Sequence, residues 1–230
     1  MTAVAATAGD SGRAPAEPTG RVRRFTGTER IVHWTTAAAM VSLVGTGLIL
    51  YVGQLSGLVG RRELIRTIHV WSGFALAVPL LVGLLGPWRG ALVADLRRLN
   101  RWTAYDRRWI LRRRVRVAAV DRPAAAPIGK FNAGQKLFAA FAGGSIPVML
   151  ATGSVMHWFD HFAVDLRTGA TFVHDWVAIG LFVAVPFHIV KALSEPVLLR
   201  AMVRGWVPRR WADVHRPRWL AADPPEAGQT

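Results

Sequence analysis

Charged residues are absent from four stretches of the chain, residues 31–52, 67–88, 137–159 and 176–190, and the last regains its apolar character beyond Lys191. At about 1.5 Å rise per residue, about 20 apolar residues cross a hydrocarbon core of about 30 Å. The pattern predicts four membrane-spanning helices over about 31–53, 65–88, 135–158 and 173–199, packed as an all-α integral membrane bundle. Buried helices of a soluble protein would read similarly, but they need more partner surface than 230 residues supply. The spans fall within a membrane domain over 25–220, with a polar loop over 89–134. Residues 1–24 lack the apolar run of a signal peptide and are expected to be a disordered tail, as are residues 221–230.

Charge then sets the expected orientation. Lys and Arg outnumber Asp and Glu by 29 to 14, and they are unevenly spread. Five lie before Ile31, thirteen between Arg89 and Lys136, and seven from Lys191 onward, against four in the two remaining connections. Short loops rich in Lys and Arg stay inside the cytoplasm. Both termini and the middle loop are therefore expected on the cytoplasmic face of a bacterial inner membrane. The net charge of +15 needs no nucleic acid to explain it; some of these Arg are expected to meet anionic lipid headgroups.

The chain has no cysteine, which excludes disulfides, thiolate-bound iron–sulfur clusters and thioether-linked haem. Redox chemistry would have to use histidine. His33 opens the first span on the inner side, His69 the second on the outer side, and His174 the fourth on the outer side; His188 follows fourteen residues later. Fourteen residues advance about 21 Å and close nearly four helical turns, so His174 and His188 share a face at two depths. Depth pairs His69 with His174 and His33 with His188. Two neutral imidazoles at each of two levels would clamp the iron of two b-type haems. Ionisable groups inside a membrane are costly and are kept for function.

Other polar positions read less sharply. His157 and His161, with Asp160 and Asp165 nearby, resemble a metal-binding turn, or else the interfacial end of the third span; either could also replace His174 as outer ligand. His215 falls in the polar C-terminal segment. Gly45, Gly47, Gly73, Gly143 and Gly144 would let helices or a flat porphyrin approach closely, and Pro186 could aim His188.

Several segments together resemble the di-haem cytochrome b (gamma) subunit of membrane-bound respiratory formate dehydrogenase, over 24–220. They are Glu-Arg-Ile-Val-His-Trp at 29–34, Ile-His-Val-Trp-Ser-Gly at 68–73, Gly-Lys-Phe-Asn-Ala-Gly-Gln-Lys at 129–136, the paired His174 and His188, and Met-Val-Arg-Gly-Trp-Val at 202–207 with Trp-Ala-Asp-Val-His at 211–215. The Asn-Ala-Gly-Gln-Lys block is the most specific, since the histidine pattern is shared with cytochrome b subunits of hydrogenases and thiosulfate reductases. The resemblance implies the same haem pairs, and a quinone (menaquinone or ubiquinone) reduced beside His188 in a pocket lined by Asn132, Gly134 and Gln135. Read by itself, Asn132 is a helix N-cap. The N-terminal tail and the Arg-rich stretch 97–116 depart from the family pattern.

The expected function is transmembrane electron transfer from a periplasmic formate dehydrogenase module to quinone near the cytoplasmic face, with no formate-oxidising centre on this chain. The resemblance implies an iron–sulfur (beta) subunit and a molybdenum or tungsten catalytic (alpha) subunit as partners. They would meet the outer connections, residues 54–66 and 160–175, while the inner C-terminal segment receives the iron–sulfur subunit's anchoring helix. Two alternatives stay open: a cytochrome b of a hydrogenase, thiosulfate reductase or other quinone-linked oxidoreductase, and a haem-free membrane anchor.

Overall fold

The computed structural model describes residues 20–112 and 128–222. The tails expected over 1–19 and 223–230, and residues 113–127 of the middle connection, lie outside the described residues. Among the described residues, four helices are long and apolar enough to cross a membrane: α1 (Gly27–Tyr51), α3 (Arg62–Leu85), α6 (Ala133–His157) and α7 (Val164–Leu193). A short helix, α2 (Gly53–Val59), turns the chain between the first two. Helix α1 lies along α3 and α6 along α7, and contacts of α3 with α6 and of α1 with α7 close the bundle. The apolar residues of these helices face outward in large part; Leu85 is 74% and Val183 69% exposed. That arrangement suits lipid, in which an exposed Leu or Val carries no penalty.

Local chemistry fixes where the helices begin. Thr26 and Glu29 form a capping box on α1: Glu29 N donates to Thr26 Oγ1 (3.3 Å) and Thr26 N donates to Glu29 Oε2 (2.6 Å). Asn132 and Gln135 do the same for α6, at 2.9 and 3.0 Å. Each box satisfies two backbone donors that the first turn leaves unpaired. The fourth long helix departs from the expected 173–199. It starts at Val164 and stops at Leu193, and Pro196 opens a separate helix, α8 (Pro196–Arg204). Proline lacks the N–H that would continue the ladder and pushes the residue before it out of helical geometry; Glu195 sits at φ −124°, ψ 71°.

The end of the bundle where α1 and α6 start and α3 and α7 stop, here the basic end, carries a small capped layer. Strand β1 (Arg21–Arg23) pairs antiparallel with β2 (Trp206–Pro208), with Val22 opposite Val207. The expected tail over 1–24 thus does not include these residues, which are fixed by pairing with a segment about 185 positions away. Helices α9 (Arg209–His215) and α10 (Pro217–Ala222) follow, so the tail expected from 221 also begins later. Val22, Phe25, Ala201, Val207, Ala212 and Trp219 form the core of this layer. Gly205 sits at φ 91°, and its carbonyl accepts from Arg24 N and Phe25 N at 2.8 and 3.0 Å. A side chain there would meet Phe25 O at 2.8 Å, so only glycine fits.

The expected loop over 89–134 is helical in part: α4 (Gly90–Asn100) and α5 (Ala104–Arg112) lie against the basic end. Two buried ion pairs dock them. Lys130 Nζ is 2.6 Å from Asp95 Oδ2 of α4, and Lys136 Nζ is 2.7 Å from Asp106 Oδ2 of α5. Burial pushes the Asp95 carboxyl up to about 6, with Glu29 adding to the rise and Lys130 opposing it. Burial also acts to raise Asp106, but hydrogen bonds from Lys136 and Thr103 outweigh it and hold that carboxyl below its ordinary value.

Candidate functional site

At the far end, α3 and α7 bring His69 and His174 opposite each other. Their ring centres are 6.4 Å apart and their planes cross at 66°. Two metal–imidazole bonds of about 2 Å each, plus about 1.1 Å from nitrogen to ring centre on both sides, require about 6.2 Å. The separation therefore fits one metal between the rings. A cavity of about 480 Å³ surrounds the pair, lined by Gly47, Gly73 and Gly153, with Arg62 and Arg66 at its outer rim. Glycines lie against both rings: a Cβ on Gly47 would be 3.3 Å from His69 Cε1, a tight contact, and one on Gly153 3.4 Å from His174 Cε1.

The tautomer of each ring is set from a neighbouring helix. Thr46 Oγ1 of α1 donates to Ser42 O (2.6 Å), which commits its proton, so at 2.9 Å it accepts from His69 Nδ1. Thr152 of α6 repeats the device, donating to Val148 O (2.8 Å) and accepting from His174 Nδ1 (2.9 Å). A proton held on Nδ1 leaves the Nε2 lone pair for a metal, and such a partner also fixes the ring orientation.

Nearer the basic end, α1 and α7 bring His33 and His188 to the same separation and angle, 6.4 Å and 66°. His188 is held by stacking on Phe138 of α6, at 4.2 Å between centres and 5° between planes. Trp34, beside His33, ties α1 to α8 through Nε1–H to Met202 O (3.1 Å). Fourteen residues of α7 separate the two sites, about 21 Å along the axis.

Asn132, Gly134 and Gln135 open α6, within about 9 Å of Phe138 along the axis. The capping box uses the side-chain oxygens of Asn132 and Gln135, so the cap reading of Asn132 describes its geometry. It leaves both side-chain NH₂ groups to donate. Trp109 of α5 covers this turn; a Cβ on Gly134 would lie 3.5 Å from Trp109 Cη2. Arg24, in the core beside it, donates to Lys130 O, and burial together with Arg216 lowers its guanidinium to about 9.

Reading the sequence missed Thr46 and Thr152. A signal was available: each precedes a glycine and lies twenty residues after a helix cap, Thr26 or Asn132. His69-Val70-Trp71 and His174-Asp175-Trp176 likewise share one pattern on the facing helices. His157 ends α6 and lines the rim of the far cavity; His161 lies in the 3-10 turn Phe159–His161, and His215 stacks on Trp211 in α9. The ring that faces His69 is that of His174.

Residues 24–205 match the sequence profile of the prokaryotic cytochrome b561 family. Similar proteins include the formate dehydrogenase cytochrome b556(fdo) subunit of Escherichia coli (strain K12), 28% identical over 207 residues, covering 85% of this chain and 90% of that one. The formate dehydrogenase cytochrome b556 subunit of Haemophilus influenzae is 27% identical over 205 residues, 86% and 82% of the two chains. The nitrate-inducible formate dehydrogenase cytochrome b556(Fdn) subunit of Escherichia coli (strain K12) is 26% identical over 197 residues, 83% and 86%.

Proposed function

Because the chain belongs to the prokaryotic cytochrome b561 family, and is thus a multi-pass membrane cytochrome, we propose that it carries two b-type haems and joins a formate dehydrogenase module to membrane quinone. The observation that carries this reading is the pair of facing histidines at two depths, His69/His174 and His33/His188, each 6.4 Å apart at 66°. Both gaps accept one bis-imidazole iron. Haem bound there supplies reversible one-electron chemistry.

The residues of the chain do the holding and orienting. Thr46 and Thr152 set the tautomers of the far-end ligands, and Phe138 fixes the plane of His188. Arg62 and Arg66, at the rim of the far cavity, suit the carboxylates that haem b carries. At the other level a quinone carbonyl would accept from the NH₂ groups of Asn132 and Gln135, on the turn where Trp109 packs over Gly134. Donors placed where negative charge develops favour reduction. The excess of Lys and Arg at the basic end supports a cytoplasmic position for that end, with the bundle in a bacterial inner membrane. The far-end connections, α2 and the Phe159–His161 turn, then face a periplasmic iron–sulfur subunit and its molybdenum or tungsten catalytic partner.

The test is to solubilise native membranes gently, isolate the chain with whatever accompanies it, and add formate. Formate-driven appearance of reduced b-type absorbance, reversed by a quinone, is the expected result. A chain isolated with the subunits of another oxidoreductase, its haems reduced by that enzyme's substrate and not by formate, would overturn the choice of donor.

A further inference from the structure

Glu29, Asp95 and Lys130 form a buried cluster that haem ligation and helix capping leave without a role in the redox reaction. Lys130 Nζ lies 3.3 Å from Glu29 Oε1 and 2.6 Å from Asp95 Oδ2, and the three side chains are at most 10% exposed. Its surroundings are charged as well. Arg98 of α4 is 2.7 Å from Asp95 Oδ1, and Arg24, at the end of β1, sits against Lys130 O.

Docking alone accounts poorly for this arrangement. Lys136 and Asp106 dock α5 with one ammonium and one carboxylate. Here two carboxylates meet at the Lys130 ammonium, with Arg98 also on Asp95, and buried ion pairs of this kind add little net stability. Two close carboxylates do, however, make one of them easy to protonate. The cluster's position is also specific. Glu29 is one helical turn before His33 on the same face of α1, and Lys130 is two residues before the cap Asn132. On the other side Arg98, one-third exposed, opens the cluster toward the basic surface.

We propose that Asp95, Glu29 and Lys130 form the relay that delivers protons from the basic surface to a quinone at the start of α6. The proposal rests on the haem and quinone reading given above. Reduction of a quinone to the quinol adds two electrons and two protons: each carbonyl oxygen gains one O–H bond as the ring becomes aromatic. The electrons are those of the bound haems. For each proton, the Lys130 ammonium releases one N–H proton toward the substrate oxygen and takes another from Asp95 or Glu29. The carboxylate left behind recovers its proton from water at the Arg98 side. Asp95 holds its proton up to about pH 6, the balance of burial and Glu29 against Lys130, with Arg24 and Arg98 as the other charges facing it.

The experiment uses membranes holding the full haem-loaded chain, reduced with stoichiometric dithionite and mixed rapidly with menadione. The reoxidation rate is followed between pH 5 and pH 8, in H₂O and in D₂O. Wild type is expected to slow as pH rises above about 6 and to slow further in D₂O. Asp95→Asn should keep its haem spectrum, lose about 10-fold or more in rate and lose the inflection; Asp95→Glu should restore both. Glu29→Gln serves as the second variant, with the same direction of change expected. A wild-type rate without a solvent isotope effect, or variants matching wild type in rate and pH profile, would overturn the relay. Wild-type haems that menadione does not oxidise would instead overturn the quinone reading beneath it.

Discussion

Replacing Thr152 with Val tests the proposed far-end haem site at a residue that would not itself touch the metal. Valine has nearly the shape of threonine, so no cavity opens in α6. What disappears is Oγ1, which accepts from His174 Nδ1 at 2.9 Å. Its own donation to Val148 O (2.8 Å) is lost as well, at small cost, because helical carbonyls already accept from the backbone. Stranding a half-buried ring N–H costs roughly 1–3 kcal/mol, and losing such a partner of a metal ligand typically costs about 10–100-fold in affinity. The hydrogen bond also builds negative charge on the imidazole, which favours the ferric state. Its loss should raise the midpoint potential of that haem by tens of millivolts, given about 59 mV per tenfold for one electron. Haem titration into the haem-depleted protein gives the affinity, and a spectroscopic redox titration gives the potential. One of the two sites should weaken and shift while the other is unchanged, and Thr152→Ser should restore it. A Thr152→Val protein with both affinities and both potentials intact would refute the tautomer argument.

Two further outcomes follow from the basic end. Gly205→Ala forces a side chain into φ 91° and within 2.8 Å of Phe25 O, at a cost of roughly 1–3 kcal/mol; thermal unfolding should begin several degrees lower, and an unchanged transition would contradict the packing described. Asp95 has a folded-state value raised from 3.8 to about 6, so folding binds its proton more tightly. Its contribution to stability is therefore greatest below about pH 4 and falls as pH rises to about 6, by at most about 3 kcal/mol. Chemical denaturation of wild type against Asp95→Asn should show their difference changing across that window, and a difference constant with pH would refute the raised value.

The four spans were legible because charge and apolar residues are segregated along the chain, a pattern that needs no knowledge of partners. The four histidines were legible through depth, since fourteen residues on one helix mark two levels on one face. The threonines that orient His69 and His174 were not, because their role depends on the register of α1 against α3 and of α6 against α7. The docked α4 and α5 were read as loop for a related reason. Their Arg-rich sequence is that of a solvated segment until Asp95 and Asp106 meet Lys130 and Lys136, partners 35 and 30 residues away. The pairing of β1 with β2 joins the two ends of the membrane domain, and no three-residue segment announces so distant a partner. Asn132 shows the limit differently: its cap role follows from local sequence, whereas a role toward quinone depends on what the helix start faces.

The central claim is that the two histidine pairs each hold a haem. It is tested most directly by a dithionite-reduced minus oxidised spectrum of the purified chain, with haem quantified, for wild type and His188→Ala. Two b-type haems per chain, falling to one in the variant, is the predicted result. A well-folded wild-type protein without haem, or a variant that keeps both, would contradict it.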